Sequence, residues 1–191
     1  ALELLQAGCR VTLLERGEVG REASWAGGGI VSPLYPWRYC DAVSALAEWS
    51  QGYYPQLATS LLEQTERDPQ VHTCGLLWLD HDEQDQALDW AVAHGKPLRA
   101  VDADFVYRQV PQLAPGFAGA LWQADLANVR NPRLMQALRA RLLQFDAFTL
   151  HEHCAVESLL RDGDAVVGVQ CPVGRIEADA VVLCAGAWSG D

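Results

Sequence analysis

Apolar and polar positions recur with two periods along the chain, and the two periods predict helices and strands in mixed order. A spacing near 3.6 residues predicts helices, and short apolar runs predict strands. The helical segments are residues 1–8, 41–67, 83–94 and the stretch that follows 131. The strand-like segments are residues 10–15, 74–80, 117–123, 148–152, 156–161, 165–170, 175–177 and 180–184. This order predicts a fold of the α/β or α+β class.

Glycine, proline and asparagine mark where these elements begin and end. Asn131-Pro132 opens a helix, because Asn is a favoured N-cap and Pro fits the first helical turn. Pro55 is expected to start a second helix within the segment 41–67. Asp162-Gly163 marks a tight hairpin turn among the closing strands. Residues 16–36, rich in Gly and Pro, are expected to form loop or short helix.

Composition and charge exclude several classes of function. The formal net charge is −11 with acidic residues scattered along the chain, which argues against a nucleic-acid partner. The longest apolar runs, such as 180–187, are far shorter than the roughly 20 residues of a membrane span. No C-x-x-C pair occurs among the six cysteines, and most lie in apolar runs. We therefore expect unpaired thiols and a cytoplasmic location.

Two features near the beginning of the chain carry candidate cofactor chemistry. Glu15 closes a strand that follows a helix, where a dinucleotide-binding unit places an acid against the ribose hydroxyls. An exposed strand-end acid without that role is the alternative. The glycine fingerprint would lie about 20 residues earlier, before Ala1. Gly27-Gly28-Gly29 lacks that spacing, and it indicates either close backbone approach to a ligand or a flexible turn.

The whole string from Leu13 to Tyr39, L-L-E-R-G-E-V-G-R-E-A-S-W-A-G-G-G-I-V-S-P-L-Y-P-W-R-Y, closely resembles the second FAD-binding segment of the D-amino-acid oxidase superfamily. The nearest resemblance is to the proteobacterial glycine oxidases of thiamine biosynthesis. Three later strings agree in order: G-L-L-W-L-D at Gly75–Asp80, A-N-V-R-N-P-R-L at Ala127–Leu134 and A-G-A-W-S-G at Ala185–Gly190. Sarcosine oxidases and D-amino-acid dehydrogenases share the final motif.

The resemblance implies FAD as cofactor and assigns residues to the adenosine and pyrophosphate. Glu15 would hold the adenosine ribose, with Arg16 beside it at the adenine edge. Val156 would offer its backbone to the adenine; from the residue pattern alone it is plain core. Ala23 and Ser24 would reach the pyrophosphate through the hydroxyl and backbone amides.

The resemblance also assigns residues to the flavin side of the cofactor. Gly28, Gly29 and Ile30 would run under the ribityl chain and the flavin ring. Gly186 and Trp188 would mark the turn where the chain returns to the cofactor, although Trp188 alone indicates a core anchor.

The implied fold is a partial Rossmann-like FAD-binding domain with a β-meander, plus part of an α+β substrate domain. Residues 1–40 and 126–191 would belong to the FAD-binding domain and 41–125 to the substrate domain. The substrate arginine of the family would lie outside this chain, so no catalytic residue is named. We expect the chain to be an internal piece that carries no FAD by itself. Its open sheet edges predict a homo-oligomer.

The implied reaction is oxidative deamination of glycine and small amino acids by oxygen, with hydrogen peroxide as a product. The alternatives are a D-amino-acid dehydrogenase, a sarcosine oxidase-like enzyme, or a piece that has no activity. His151-x-His153 suggests no third ligand, so no metal is expected. Six aromatic residues between Tyr35 and Tyr54 either line a substrate pocket or form a hydrophobic interdomain surface.

Overall fold

A computed structural model of the chain describes residues 1–79 and 82–190. The chain divides into two compact units that alternate along the sequence. The first unit comprises Ala1–Gly27, Gln64–Arg67 and the residues from Asn131 onward. The second unit comprises Gly28–Glu63 and Asp68–Arg130. The assignment of these segments to cofactor and substrate domains stays a prediction.

Six helices and ten strands form in the described residues. The helices are α1 (Leu2–Gln6), α2 (Ala23–Ala26), α3 (Asp41–Thr65), α4 (Gln84–Ala93), α5 (Ala103–Gln109) and α6 (Asn131–Leu142). The strands are β1 (Val11–Leu14), β2 (His72–Thr73), β3 (Leu76–Leu79), β4 (Leu98–Asp102), β5 (Gly119–Gln123), β6 (Ala127–Asn128), β7 (Phe148–His151), β8 (Ser158–Asp162), β9 (Ala165–Cys171) and β10 (Gly174–Glu177). Single 3-10 turns occur at Pro36–Arg38 and Gly186–Trp188. The mixed α and β composition confirms the predicted fold class.

The first unit contains a parallel pair of strands. β1 pairs with β7, and the register places Val11 opposite Phe148 and Leu14 opposite His151. The backbone N–H of Glu15 donates to His151 O at 2.9 Å, which continues the pairing one residue further. Glu15 therefore follows a parallel strand, as its place in the sequence predicts.

Three antiparallel strands, in the order β10-β9-β8, form the predicted β-meander of the first unit. The β8–β9 hairpin turns at Gly163, whose φ is 58°, and a shift in register between Leu160 and Arg161 marks a bulge. Gly168 has a φ of 156°, and a Cβ there would collide with the carbonyl of Ile176 on β10. Close approach of two strands therefore requires glycine at this position.

The core of the second unit lies on the three-stranded sheet β3-β5-β4. Trp37 packs edge-on against Trp78 of β3, with ring centroids 5.5 Å apart. The Trp78 indole N–H donates to Leu34 O at 2.6 Å, so this buried ring has its polar group satisfied. Ala87 and Ala91, four residues apart on α4, complete the buried cluster beside these rings.

Two elements differ from the sequence predictions. Pro55 lies inside the continuous helix α3 and does not start a second helix; it removes one N–H donor, but the helix continues through it. The segment Ala180–Cys184 forms no strand in the described residues, and Val182 and Leu183 are 69% and 64% exposed. Because a strand needs a paired neighbour, an apolar run alone does not make one.

Other short elements escaped the sequence analysis. β4 and α5 occupy residues that no periodic pattern marked. Asp102 caps the N-terminus of α5, and its side chain accepts from the Phe105 N–H at 2.8 Å. The strand predicted at 74–80 is limited to β3 within the described residues, and Asp80 lies outside them. The helices at 83–94 and after Asn131 form where the sequence predicts them.

The six cysteines are free, as their spacing predicts. Cys154 and Cys171 are buried and the other four are exposed. Burial raises the pKa of the Cys154 thiol, and its hydrogen bond with the Cys171 side chain raises that pKa further. Among the described residues, no helix is long and apolar enough to cross a membrane.

Candidate functional site

Glu15 is held at the end of β1 by the loop that follows it. Its carboxylate Oε1 accepts the Gly17 N–H at 2.8 Å, and its backbone carbonyl accepts the Cys154 N–H at 2.8 Å. The Gly17 carbonyl accepts the His153 N–H at 2.9 Å. The other carboxylate oxygen, Oε2, has no hydrogen-bond partner in the part of the chain that the structure describes. Glu15 thus keeps one acceptor for a ligand hydroxyl.

The loop after Glu15 is tied down by Glu152, which the sequence analysis did not single out. Glu152 Oε1 accepts the Val19 N–H at 2.9 Å, and Oε2 accepts from Arg139 at 3.0 Å. These hydrogen bonds, first that of the Val19 amide and then that of the Arg139 guanidinium, lower the pKa of Glu152. The carboxylate form of Glu152 therefore stabilises the loop.

One face of α6 supports the rest of this loop. Asn131, Met135 and Arg139 are spaced by four residues and so share a face of the helix. The Gly20 backbone lies against the Met135 side chain, and a Cβ at Gly27 would collide with the Asn131 amide. Two glycines thus allow the segment between them to lie directly on α6.

Arg16 and Trp188, both predicted cofactor residues, are in contact in the first unit. The Arg16 guanidinium lies 4.1 Å from the centroid of the Trp188 ring, which is a cation–π geometry. Trp188 is 40% exposed and Val156 is 45% exposed, so neither is the core residue that its apolar character alone suggests. Gly186 begins the turn that presents Trp188, with a φ of 58°.

The remaining predicted residues of the first unit lie on α2, where Ala23 and Ser24 are both exposed in the first turn. The structure thus brings Glu15 and Arg16 into contact with the segments that carry Val156 and Trp188. Gly28, Gly29 and Ile30 belong to the second unit instead. The candidate site residues therefore fall into two sets.

Gly28–Ile30 run along β6 in the second unit. The Val129 N–H donates to Gly29 O at 2.8 Å, and Ile30 forms an isolated antiparallel bridge with Asn128. Gly29 has a φ of 76°, and a Cβ there would collide with the Val129 carbonyl. A Cβ at Gly28 would meet nothing within 4 Å. Close backbone packing explains Gly29, whereas Gly28 and the 40% exposed Ile30 face open space.

Two other candidate clusters separate in the structure. No group of three His, Cys, Asp or Glu side chains that could hold a metal occurs among the described residues, and for His151 and His153 the absence of a metal stays a prediction. The aromatic residues near Tyr35 do not form one surface. Trp37 is in the core, whereas Trp49 is 64% exposed and stacks on Tyr53 at 5.1 Å along α3.

A parallel strand followed by an acid is a feature of dinucleotide-binding α/β domains. The profile of one family, FAD dependent oxidoreductase, matches residues 1–191. The chain belongs to this family of FAD-dependent oxidoreductases.

Relatives of this chain include several curated enzymes. It is 59% identical over its whole length to a glycine oxidase of Pseudomonas aeruginosa, covering 52% of that enzyme. It is 54% identical over 95% of its length to a glycine oxidase of Pseudomonas putida, covering 50% of that enzyme. A 4-methylaminobutanoate oxidase (formaldehyde-forming) of Paenarthrobacter nicotinovorans is 30% identical over 94% of the chain, which covers 22% of that protein. The chain spans about half the length of the glycine oxidases it matches.

Solved structures have the same fold. Glycine oxidase from Geobacillus kaustophilus superposes with a TM-score of 0.81 at 27% identity, over 95% of this chain and 50% of that one. Glycine oxidase from Bacillus cereus superposes with a TM-score of 0.83 at 24% identity, over 97% of this chain and 52% of that one.

Gly29→Ala is expected to destabilise the protein far more than Gly28→Ala. A left-handed backbone and a collision with the Val129 carbonyl are expected to cost about 1–3 kcal/mol. Gly28→Ala is the matched control, since its Cβ meets nothing; its effect is expected to be within about 0.5 kcal/mol. Equilibrium unfolding in urea measures both, and equal losses for the two variants would contradict the structure.

Glu152→Gln is expected to make the free energy of unfolding less dependent on pH in the acidic range. The folded-state pKa of Glu152 is lowered, so its stabilisation is present above the unfolded value of about 4.3 and is lost as pH falls through the folded value. The variant is therefore expected to be less stable at neutral pH and to lose less on acidification. Urea midpoints between about pH 3 and 7 measure this, with the exposed Glu177→Gln as control. Indistinguishable profiles for the two variants would reject the role of Glu152.

Proposed function

We propose that the protein containing this chain is an FAD-dependent oxidase that deaminates glycine and other small amino acids. The products are an imine, which hydrolyses to ammonia and a 2-oxo acid, and hydrogen peroxide. The observation that carries the proposal is the 59% identity to a Pseudomonas aeruginosa glycine oxidase along the entire chain. Identity of this extent, together with family membership, supports a shared reaction.

The residues of the first unit fit the adenosine part of FAD. The unpartnered oxygen of Glu15 suits a ribose hydroxyl. The Gly17 N–H holds the carboxylate, and the Cys154 N–H holds the backbone carbonyl of Glu15. Exposed Val156 and Trp188 offer apolar surface near it, and Arg16 is held by Trp188. Ala23 and Ser24 would hold the pyrophosphate, as the family resemblance implies.

Gly28, Gly29 and Ile30 would support the ribityl chain and flavin ring, with Gly186 at the returning turn. Gly28 has no side chain, and no other atom lies within 4 Å of the place where its Cβ would be. Its backbone is therefore accessible. Bound FAD supplies hydride acceptance and electron transfer to oxygen, and this chain would bind and orient it.

A sarcosine oxidase-like activity on a secondary N-methyl amine is the second candidate. It is favoured by the 30% identity to the 4-methylaminobutanoate oxidase, an enzyme named for an N-methyl amine. A D-amino-acid dehydrogenase, which passes its electrons to an acceptor other than oxygen, would be distinguished by the electron acceptor.

The cellular setting is part of the proposal. We place the reaction in thiamine biosynthesis, which the resemblance implies, and the enzyme in the cytoplasm. The six free cysteines support a reducing compartment. For this chain by itself we also propose a homo-oligomer, because the edges of the two-stranded β1–β7 sheet invite pairing with another chain.

The full-length protein is expected to consume oxygen and release an equal amount of peroxide with glycine, sarcosine or D-alanine. Oxygen-electrode and peroxide assays on the FAD-loaded enzyme measure both quantities. Turnover with none of the three compounds would reject the glycine oxidase proposal. Turnover with a dye but not with oxygen would identify a dehydrogenase.

Glu15→Ala is expected to weaken FAD binding by about 10- to 100-fold, because a hydrogen bond to a charged group is worth about 1.5–3 kcal/mol. Titration of the full-length apoprotein with FAD, monitored by flavin fluorescence, gives the Kd for FAD without relying on activity. Glu18→Ala in the same loop is the control, since the exposed Glu18 side chain pairs with the exposed Arg21 on the surface. Equal Kd values for Glu15→Ala and the wild type would remove Glu15 from the site.

A further inference from the structure

Glu152 directly follows β7, and Glu15 directly follows β1, the strand with which β7 pairs in parallel. Leu14 is opposite His151 in the register, so the two glutamates leave the same edge of the sheet side by side. The Glu15 N–H donates to His151 O at 2.9 Å and ties the two strand ends together. The family resemblance that assigns Glu15 to the adenosine ribose assigns no role to Glu152.

The two carboxylates bind backbone amides of the same loop. Glu15 Oε1 accepts the Gly17 N–H at 2.8 Å, and Glu152 Oε1 accepts the Val19 N–H at 2.9 Å. The Gly17 carbonyl accepts the N–H of His153, the residue after Glu152, at 2.9 Å. The loop from Glu15 to Val19 is therefore attached to the end of β7 through both a backbone and a side-chain hydrogen bond.

The hydrogen bond of Glu152 fixes the loop in a way that the hydrogen bond of Glu15 does not. The Glu15–Gly17 hydrogen bond spans two residues, so the carboxylate and the amide can move together relative to the sheet. The Glu152–Val19 hydrogen bond spans 133 residues and anchors the loop to a different strand. A carboxylate is planar, so the position of Oε1 on the Gly17 amide sets the direction in which Oε2 of Glu15 faces a ligand.

Arg139 of α6 holds Glu152 in place from the other side. Its Nη2 donates to Glu152 Oε2 at 3.0 Å. The Glu152 side chain is 25% exposed and that of Arg139 is 46% exposed, so solvent screens this ion pair and the Val19 amide is the stronger partner. The Val19 and Arg139 hydrogen bonds lower the pKa of Glu152, so its carboxylate form holds the loop at neutral pH.

We propose that Glu152 is a positioning residue for FAD: by fixing the loop at Val19, it orients the Glu15 carboxylate toward the adenosine ribose and strengthens cofactor binding. The inference rests on the proposed function, because it takes FAD as the ligand of Glu15. Both carboxylate oxygens of Glu152 are already hydrogen-bonded within the protein, so Glu152 acts through Glu15 and not on the ligand. A loop that is ordered in advance loses less conformational entropy on binding, which raises the affinity.

Titration of the full-length apoprotein with FAD, monitored by flavin fluorescence, tests this role in two backgrounds. Glu152→Ala is expected to raise the Kd for FAD by about 3- to 30-fold, the range of coupling between neighbouring residues. In a Glu15→Ala background the same substitution is expected to change the Kd by less than about twofold, because the residue through which Glu152 acts is gone. Equal fold-changes in the two backgrounds would indicate a general effect on the fold and would overturn the inference.

Amide hydrogen exchange of the apoprotein gives a second readout that needs no FAD. In Glu152→Ala, exchange at Gly17 and Val19 is expected to accelerate by at least about tenfold, because the loop opens more often. Exchange at Val169 of β9 is expected to stay as in the wild type. Unchanged exchange at Gly17, or faster exchange there with an unchanged Kd for FAD, would also overturn the inference.

Glu177→Ala is the matched control, because Glu177 is an exposed acid on β10, and its Kd for FAD is expected to equal that of the wild type. If Glu152→Ala does not fold, Arg139→Ala replaces it. Arg139→Ala is expected to weaken FAD binding by a smaller factor, and Arg139→Lys to restore it, since an ammonium can still donate to Glu152 Oε2. Binding by Arg139→Ala as tight as in the wild type would then overturn the inference.

The same titrations separate this inference from the proposed function. A wild-type protein that binds no FAD would reject the proposed function and the role of Glu152 together. Equally tight FAD binding by the wild type and by Glu152→Ala would reject the role of Glu152 alone.

Discussion

Parallel pairing of β1 with β7 brings two glutamates to the same edge of the sheet, and the candidate cofactor site depends on this pairing. Leu14 is opposite His151, so Glu15 and Glu152 follow their strands side by side. Glu15 binds the Gly17 amide and Glu152 binds the Val19 amide, so the two carboxylates hold one loop at two points. Arg139 of α6 pairs with Glu152 Oε2 at 3.0 Å and so provides a positive charge for the second of these carboxylates.

The rest of the first unit follows from this loop. The glycines of the loop let residues 20–27 lie on α6. The Cys154 N–H donates to the Glu15 carbonyl, and Val156 follows two residues later. A ribose-binding acid must be rigid to bind well, because ordering it upon binding would cost free energy. Hydrogen bonds on both sides of Glu15 provide that rigidity before any ligand arrives.

The second unit has a different organisation. Its apolar cluster contains Trp37, Trp78 and the alanines of α4, and the indole N–H groups of both tryptophans have hydrogen-bond acceptors. The two rings are therefore buried with their N–H groups hydrogen-bonded.

The sequence by itself determined the elements whose signals are local. The helix start at Asn131, the hairpin at Gly163 and the strand before Glu15 depend on neighbouring residues, and each was predictable. Through its resemblance, the sequence also indicated the family.

Only the tertiary structure decided features that depend on distant partners. Glu152 accepts a hydrogen bond from the N–H of Val19, 133 residues away in the sequence, and no local pattern marks such a contact. Gly28 and Gly29 are equivalent in sequence, but only Gly29 lies against the Val129 carbonyl. Likewise, the apolar run Ala180–Cys184 has the residues of a strand but no paired neighbour among the described residues, and pairing is what makes a strand.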